Sequence, residues 1–466
     1  MVSAGAILAR REARQREQVA LTRDAGVPLA CLTIVAPGDE KDGAVTRSAF
    51  EAGRRALESL LTDRGWAERG RRATDAGTGP ELLVAVATDA AALKTALVAL
   101  EEAAPPGRLW DFDVVAGLDD DELPVILGRR ALGLPPRSCL VCDGDAAGCA
   151  RSSNHPLPVV LLARDAAAAG VDVAAARAAS DLAVRALVVE ADLAPKPGLV
   201  DPVTSGAHPD MDLALLHRSA EGLRDWFTAS WLVGATAGGD DTLRRRVVAL
   251  GVAAEAAMRG VTGGVNTHKG ALFGVGLLLA ALGAEASGAS GASGAPGEPD
   301  ACARVGVLAG PLLAGWLARV GGDASHGSAA YRELGITGAR GEAASGFATV
   351  REVSLPAYRA RLARHGDADD ALRWTLVTLM AVCPDTNLYA RGGAEALEAV
   401  QAWAARIVSK EPDPGRLAAA LAQADAPFTA RRWSPGGSAD LLALTWLLDR
   451  LGAACPPPLT IDAGGA

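Results

Sequence analysis

The chain has 466 residues, 50% hydrophobic and only 4% aromatic, with a formal net charge of −9. That length predicts two or three domains, and scarce aromatics leave the packing to Ala, Gly, Leu and Val, which favours close helix contacts. The acidic balance without a basic tract excludes general nucleic-acid binding, and seven cysteines, an odd number, fit a reducing compartment without a disulfide framework.

The opening stretch MVSAGAILARREARQREQ has too short an apolar run for a secretory signal and reads as a polar helix over residues 6–20. Residues 28–35 are rich in Leu, Ile and Thr, a strand ended by the turn Ala36-Pro37-Gly38-Asp39. A helical pattern over 50–67 precedes a second strand at 82–87, a helix at 90–103 capped by Asp89, and a third strand at 110–115. This first third reads as α+β, a small mixed sheet with helices.

After about residue 158 the pattern changes. Helical stretches recur at 166–194, 213–232, 243–258, 270–282, 305–320, 371–382, 394–408, 414–422 and 439–451, with no convincing strand between them, so the larger C-terminal part reads as all-α. The longest apolar runs, such as 270–282, fall short of the about 18 residues a spanning helix needs. A soluble, cytoplasmic chain without a membrane partner is expected. Residues 284–300, AEASGASGASGAPGEPD, predict a flexible connection inside the helical part. The expected domains are 1–160 and 170–455, with a disordered tail at 456–466.

Several loops carry chemistry. Lys196-Pro197-Gly198-Leu199-Val200-Asp201 runs on to His208-Pro209-Asp210-Met211-Asp212. Asp210 and Asp212, two apart where a loop enters a helix, suit either Mg²⁺ or plain capping. Asn266-Thr267-His268-Lys269-Gly270 opens a helix of small residues; its amides and Lys269 suit phosphate, and its glycines equally suit tight packing. Asp385-Thr386-Asn387 offers carboxylate and amide oxygens to Mg²⁺, and Arg391-Gly392-Gly393 suits phosphate; a polar helix-end turn is the other reading. Asp440 stands just past another loop, at a helix start. Four such loops in one helical domain are more than capping requires, and they point to an enzyme acting on a nucleoside triphosphate.

In the first third, Asp111 and Asp113 share one face of a strand because strand side chains alternate, which suits metal-assisted transfer to a hydroxyl or one edge residue and one ion pair. Cys139, Cys142, Cys149 and His155 have the spacing of a tetrahedral Zn²⁺ site or of free thiols in a compact loop.

The helical part resembles the triphosphoribosyl-dephospho-CoA synthases of citrate lyase assembly. The resemblance spans roughly 175–455 and rests on KPGLVD at 196–201, GAHPDMD at 206–212, GVNTHKGALF at 264–273, His326-Gly327, GARGEA at 338–343, DTN at 385–387, RGG at 391–393 and SPGGSADLLALTW at 434–446. It implies that ATP and 3′-dephospho-CoA are joined through the 2′-hydroxyl at C1′ of the ATP ribose, with adenine expelled. Mg²⁺ with Lys196, Lys269 and Arg391 would then clamp the retained triphosphate, with Asp210, Asp212 and Asp385 as catalytic carboxylates and His208, Asn266, His268, Asn387 and Asp440 around the nucleotide.

Residues 5–160 resemble holo-citrate lyase synthase, the apo-citrate lyase phosphoribosyl-dephospho-CoA transferase. The matching stretches are Arg11-Glu12-Ala13-Arg14-Gln15 with Gln18, Pro37-Gly38 with Lys41, Thr78-Gly79-Pro80-Glu81, and residues 107–114 and 137–152. The resemblance implies transfer of the phosphoribosyl-dephospho-CoA unit to a serine of the apo acyl carrier subunit with release of pyrophosphate. Asp111 and Asp113 would hold Mg²⁺ on the triphosphate, and Arg11, Arg14, Lys41 and Arg151 would contact phosphate. One half's product is then the other's substrate. Two other readings stand beside this one: a non-catalytic assembly scaffold, against which the many metal-type carboxylates argue, and service to a malonate decarboxylase carrier, against which the citrate-type first domain argues.

Overall fold

The computed structural model describes residues 2–287, 301–320 and 326–454. Most of the low-complexity segment at 284–300 and the whole of 456–466 lie outside the described residues. The chain divides into two compact units, Met1–Arg177 and Ala178–Ala466.

The first unit is α+β. Its elements are α1 (Ala4–Ala25), β1 (Leu29–Ile34), α2 (Ala44–Arg64), β2 (Glu68–Ala76), β3 (Gly79–Val86), α3 (Ala90–Ala103), β4 (Trp110–Leu118), β5 (Pro124–Ile126), α4 (Ala146–Ser152) and α5 (Leu157–Ala168). The strands form one sheet in the order β2-β3-β1-β4-β5, with every neighbouring pair antiparallel. On one face Leu32, Leu82, Val84 and Phe112 pack with Leu57 of α2 and Leu93 and Leu97 of α3. Each such side chain contributes about 1.5–3 kcal/mol on burial. On the other face Leu21 of α1 covers Leu29, Cys31, Leu83 and Val115. β4 alternates between these faces: Trp110, Phe112 and Val114 point into the first core, while Asp111 and Asp113 stand on the face that α1 only partly covers.

The sequence pattern foresaw β1, β3 and β4 but not β2 or β5. β2 reads ERGRRATDA and is mostly exposed, so an edge strand of charged residues carries no apolar alternation. The backbone of β4 beyond the reach of β5 is bonded by side chains instead. Glu101 accepts from the Phe112 N–H at 2.8 Å, the Lys94 ammonium donates to the Phe112 carbonyl at 2.5 Å, and Arg137 donates to the Trp110 carbonyl at 2.5 Å.

The second unit is helical throughout its described residues. After α6 (Val173–Asp192) come α7 (Leu213–Gly222), α8 (Arg224–Thr236), α9 (Asp240–Val261), α10 (Lys269–Ala286), α11 (Ala301–Leu317), α12 (His326–Leu334), α13 (Gly338–Ala344), α14 (Leu355–His365), α15 (Ala368–Val382), α16 (Thr386–Val408), α17 (Pro414–Ala430) and α18 (Gly436–Ala454). The stretch read as one helix over 166–194 is two, parted near Gly170 (φ +79°), and 213–232 is parted at Leu223. α16 kinks where Gly392 and Gly393 leave helical geometry.

α8 and α10 touch backbone to backbone. A Cβ at Gly234 would lie 1.9 Å from the Ala280 carbonyl oxygen, and one at Gly283 would lie 2.0 Å from that of Trp231. α10 extends the 270–282 run to 18 residues, long and apolar enough to cross a membrane by length and composition, but it is 67% buried inside this unit. An all-round apolar helix is what the centre of a helical core requires.

Candidate active sites

In the first unit the site lies on the sheet face beside α1. Asp113 stands opposite Cys31 and Asp111 opposite Thr33. Asp113 is exposed on the strand, yet desolvation by the surrounding protein, then the like charge of Asp111, pushes its carboxyl above the usual range, while Lys94 and Arg14 oppose the shift. Arg10 and Arg14, one helical turn apart on α1, reach Glu81 at 2.9 and 3.2 Å, and Gln18 a turn further donates to the Cys31 sulfur at 3.4 Å. Lys41 donates to the Ala36 carbonyl at 2.6 Å and so closes the 36–41 turn; a Cβ at Gly79 would lie 2.9 Å from the Lys41 carbonyl oxygen. Arg137 extends to Asp111 at 3.2 Å.

Cys139, Cys142, Cys149 and His155 come together, their four ligand atoms all within 4.8 Å of one another. The Cys142 and Cys149 sulfurs are 3.6 Å apart and the His155 Nε2 is 3.3 Å from Cys142. Arg151, on the same short helix as Cys149, is exposed and 4.0 Å from Asp145.

In the second unit the separated loops interlock. Asp201 accepts from the Lys196, Val203 and Thr204 N–H groups at 3.0, 2.8 and 2.9 Å, folding the KPGLVD loop on itself. Gly198 has φ +73°, and a Cβ there would lie 2.1 Å from the Trp433 carbonyl oxygen, so this loop seats directly on the start of the SPGGSAD segment. Asp385 is 1% exposed. One of its oxygens caps α16 through the Asn387 and Leu388 N–H groups at 2.9 and 3.3 Å, and the other accepts from the Ser438 N–H and hydroxyl at the start of α18. Burial raises its carboxyl all the same.

Asp440, one turn into α18, accepts from the Ala271 N–H of α10, and a Cβ at Gly270 would come within 2.0 Å of its carboxylate. Burial, then the carboxylates of Glu190 and Asp385, holds the Asp440 carboxyl well above its usual range. Lys196 is also 1% exposed and bonds its ammonium to Glu190 at 2.7 Å. His268 bonds Ser219 through Nδ1 at 2.9 Å and leaves a buried Nε2 without a hydrogen-bond partner. Burial and the nearby Lys196 push its imidazole down to about 4.

Nearer the surface, His208 sits between Ser434, 2.7 Å from Nε2, and Arg391, 3.0 Å from Nδ1. A guanidinium only donates, so Nδ1 accepts and Nε2–H donates to the Ser434 hydroxyl. Burial, then Arg391, brings this imidazole down to about 4, and Asp210 opposes. Asp210 and Asn387 are exposed beside this group, whereas Asp212 caps α7 through the Leu215 N–H at 2.7 Å. Lys269 points away to Glu255 at 2.9 Å with 52% of its side chain exposed, and Asn266 is exposed one turn earlier.

The structure thus gathers the buried Lys196, His268 and Asp385 with the half-buried Asp440, and places His208, Asp210 and Arg391 at the edge of this group. Sequence reasoning missed Glu190 and Arg10. Glu190 had a signal: an acid in the last turn of α6, where the helix dipole disfavours it, implies a specific partner. Arg10 shares its helix face with Arg14 and Gln18, whereas Arg11 faces solvent.

An Asp-x-Asp sheet face in one unit and convergent acidic and basic loops in a helical unit are two separate candidate sites, one in each unit. The sequence pattern of the CitG family, ATP:dephospho-CoA triphosphoribosyl transferase, matches residues 176–456, and that of CitX, apo-citrate lyase phosphoribosyl-dephospho-CoA transferase, matches 2–166. A relative, Protein CitXG of Haemophilus influenzae, is 32% identical over 461 residues, 95% of each chain. The 2-(5''-triphosphoribosyl)-3'-dephosphocoenzyme-A synthase of Klebsiella pneumoniae is 40% identical over 59% of this chain and 91% of its own, and a probable synthase of that name from Pectobacterium carotovorum is 43% identical over 56% and 85%. The chain belongs to the CitG family in its helical part and the CitX family in its first part, a bifunctional fusion of two transferases in citrate lyase prosthetic-group biosynthesis.

Proposed function

We propose that the helical unit carries its reaction on the group around Asp385 and Asp440. The 2′-hydroxyl of 3′-dephospho-CoA attacks C1′ of the ATP ribose. The new C–O bond forms as the C1′–N9 bond breaks, and adenine leaves with the bonding pair. Asp440 accepts the hydroxyl proton: burial and the neighbouring carboxylates of Glu190 and Asp385 raise its carboxyl, which makes it a stronger base than an ordinary carboxylate. The positive charge developing on the ribose is stabilised by the surrounding carboxylates, as in glycoside cleavage. Arg391, with His208 fixing it, binds the triphosphate that stays on the product. Asp385 suits a strut better than a metal ligand, because both its oxygens already accept from two helix starts; Asp212 is likewise a cap.

In the first unit the carrier serine hydroxyl attacks the phosphorus attached to the ribose, and the P–O bond to pyrophosphate breaks. Mg²⁺ fits Asp111 and Asp113: desolvation and then the Asp111 charge raise the Asp113 carboxyl, and a bound cation would offset both. When bound it would neutralise triphosphate charge. Arg10, Arg14, Lys41 and Arg151 supply phosphate contacts. Thiolates and an imidazole at Cys139, Cys142, Cys149 and His155 suit zinc rather than magnesium. The partner is the apo acyl carrier subunit of citrate lyase, and the location is the cytoplasm.

The interlock of KPGLVD, DTN and SPGGSAD around one buried acid carries the synthase reading. Incubation with ATP, 3′-dephospho-CoA and Mg²⁺ should release adenine stoichiometrically with product, and further addition of the apo carrier should raise its mass by the phosphoribosyl-dephospho-CoA unit. Absence of adenine sinks the first claim, and an unchanged carrier mass the second.

A further inference from the structure

We infer that Cys139, Cys142, Cys149 and His155 form a closed, non-catalytic zinc site that holds Arg137 against Asp111, so that only carrier transfer by the first unit depends on zinc. This rests on the reading of Asp111 as part of the transferase site.

The geometry supports a four-ligand site. A tetrahedron with bonds of about 2.3 Å has edges of about 3.8 Å, and the 3.6 Å between the Cys142 and Cys149 sulfurs and 3.3 Å from Cys142 to His155 are close to that before any ion draws the ligands into place. The sulfurs also accept hydrogen bonds from the loop around them. Cys139 accepts from the Val141 N–H and Cys142 from the Gly144 N–H, each two residues on and each at 3.4 Å, and Cys149 accepts from the Asn154 amide at 3.6 Å. Such outer hydrogen bonds orient ligands and offset thiolate charge. Gly144 leaves these sulfurs uncrowded, since a Cβ there would stand close against Cys142 and Cys149, at 3.3 and 3.4 Å from their sulfurs. Four protein ligands leave no position for water or substrate, which separates a structural zinc site from a catalytic one.

The same loop is bonded to the acidic strand. Arg137, two residues before Cys139, donates to the Arg108 carbonyl at 2.7 Å, to the Trp110 carbonyl at 2.5 Å and to the Asp111 carboxylate at 3.2 Å. In return Arg108 donates to the Cys139 and Ser138 carbonyls. The Arg137 carbonyl accepts from the Ala146 N–H at 2.9 Å, and Cys139 and Gly144 pair across the loop at 2.8 Å. Loop, guanidinium and carboxylate therefore form one chain of bonds from the sulfur cluster to Asp111. The cluster spans 17 positions of mostly irregular chain, too little to hold its shape by apolar burial, so a metal is the natural clamp.

The test uses the full chain. Elemental analysis of the purified protein should find one zinc per chain, lost in Cys142→Ser and in Cys149→Ser. Those variants should release adenine at the parental rate, which shows that the helical unit is intact, and keep the parental circular dichroism, which shows that the first unit still folds, while transfer from pre-made triphosphoribosyl-dephospho-CoA to the apo carrier slows at least tenfold. Arg137→Gln should keep its zinc and raise the Mg²⁺ concentration needed for half-maximal transfer, with Arg137→Lys recovering part of the loss. A native chain that lacks zinc, or that joins Cys142 to Cys149 in a disulfide, overturns the site. Zinc-free Cys142→Ser that transfers normally overturns the positioning role. Zinc content does not depend on Asp111, so a zinc-loaded Asp111→Asn chain that transfers normally identifies the reading of Asp111 as the failure, and the positioning role falls with it.

Discussion

Asp385 takes both the N–H and the hydroxyl of Ser438, at 2.9 and 3.3 Å, while its other oxygen caps the helix that it begins. One carboxylate thus joins the starts of α16 and α18, two N-terminal dipoles that both favour a negative charge. Asp385→Ala would leave several buried donors without an acceptor, at about 1–3 kcal/mol for each unmet group. Urea unfolding should show a loss of at least about 3 kcal/mol, and adenine release should fall more than a hundredfold. Transfer of pre-made intermediate should persist, because DTN and SPGGSAD both lie in the helical unit. Loss of both activities with intact folding would argue against separate sites.

Asp111→Asn and Asp113→Asn should show the reverse pattern. Each removes a carboxylate from the open sheet face without disturbing Trp110, Phe112 or Val114 on the other side. Mass spectrometry of the apo carrier should show transfer at least a hundredfold slower, with adenine release unchanged.

Gly198→Ala tests the seat of the KPGLVD loop. A methyl group at φ +73° costs on the order of 1 kcal/mol or more by itself, and here it would also meet the Trp433 carbonyl oxygen at 2.1 Å. Thermal unfolding of the helical unit should fall by several degrees and adenine release should drop with it. Gly170→Ala, also at positive φ (+79°) but with nothing within 4 Å, should cost only the backbone strain and leave the chemistry alone.

The half-buried His208 and the buried His268 set a pH dependence of stability. His208 and His268 fall from about 6.5 to about 4 on folding, so between those values the unfolded chain binds more protons than the folded one. Stability from this source is therefore greatest above pH 6.5 and is lost as pH falls towards 4. The melting temperature of the native chain should decline over pH 6.5 to 4.5 more steeply than that of His208→Gln. Equal slopes would count against a neutral His208 in the fold.

Much of this was readable from residues alone. Alternation in WDFDV put Asp111 and Asp113 on one face, and the absence of strand signals after residue 158 gave an all-α part. The loops of the helical part announced themselves by glycines and acids. What escaped notice depended on partners distant in sequence. An Asp before a helix signals one cap, and nothing local says that Asp385 also reaches Ser438, 53 residues on. Lys196 and Lys269 look alike as loop cations, yet one ammonium is sealed on Glu190 and the other is on the surface with Glu255. β2 hid because an exposed edge strand has no apolar period to read, and Arg10 because it sits one residue from Arg11 and only the direction of α1 tells them apart.

The side chains that occupy the Trp110–Phe112 backbone have a consequence for how another protein can approach. An unpaired strand border invites an extended segment of a second chain to lie along it and enlarge the sheet. Here Lys94, Glu101 and Arg137 already take those donors and acceptors, and the opposite border is the charged β2. Sideways addition at the acidic strand is closed, so on the proposed reading a serine brought to Asp111 and Asp113 would approach from above the sheet face rather than by extending it.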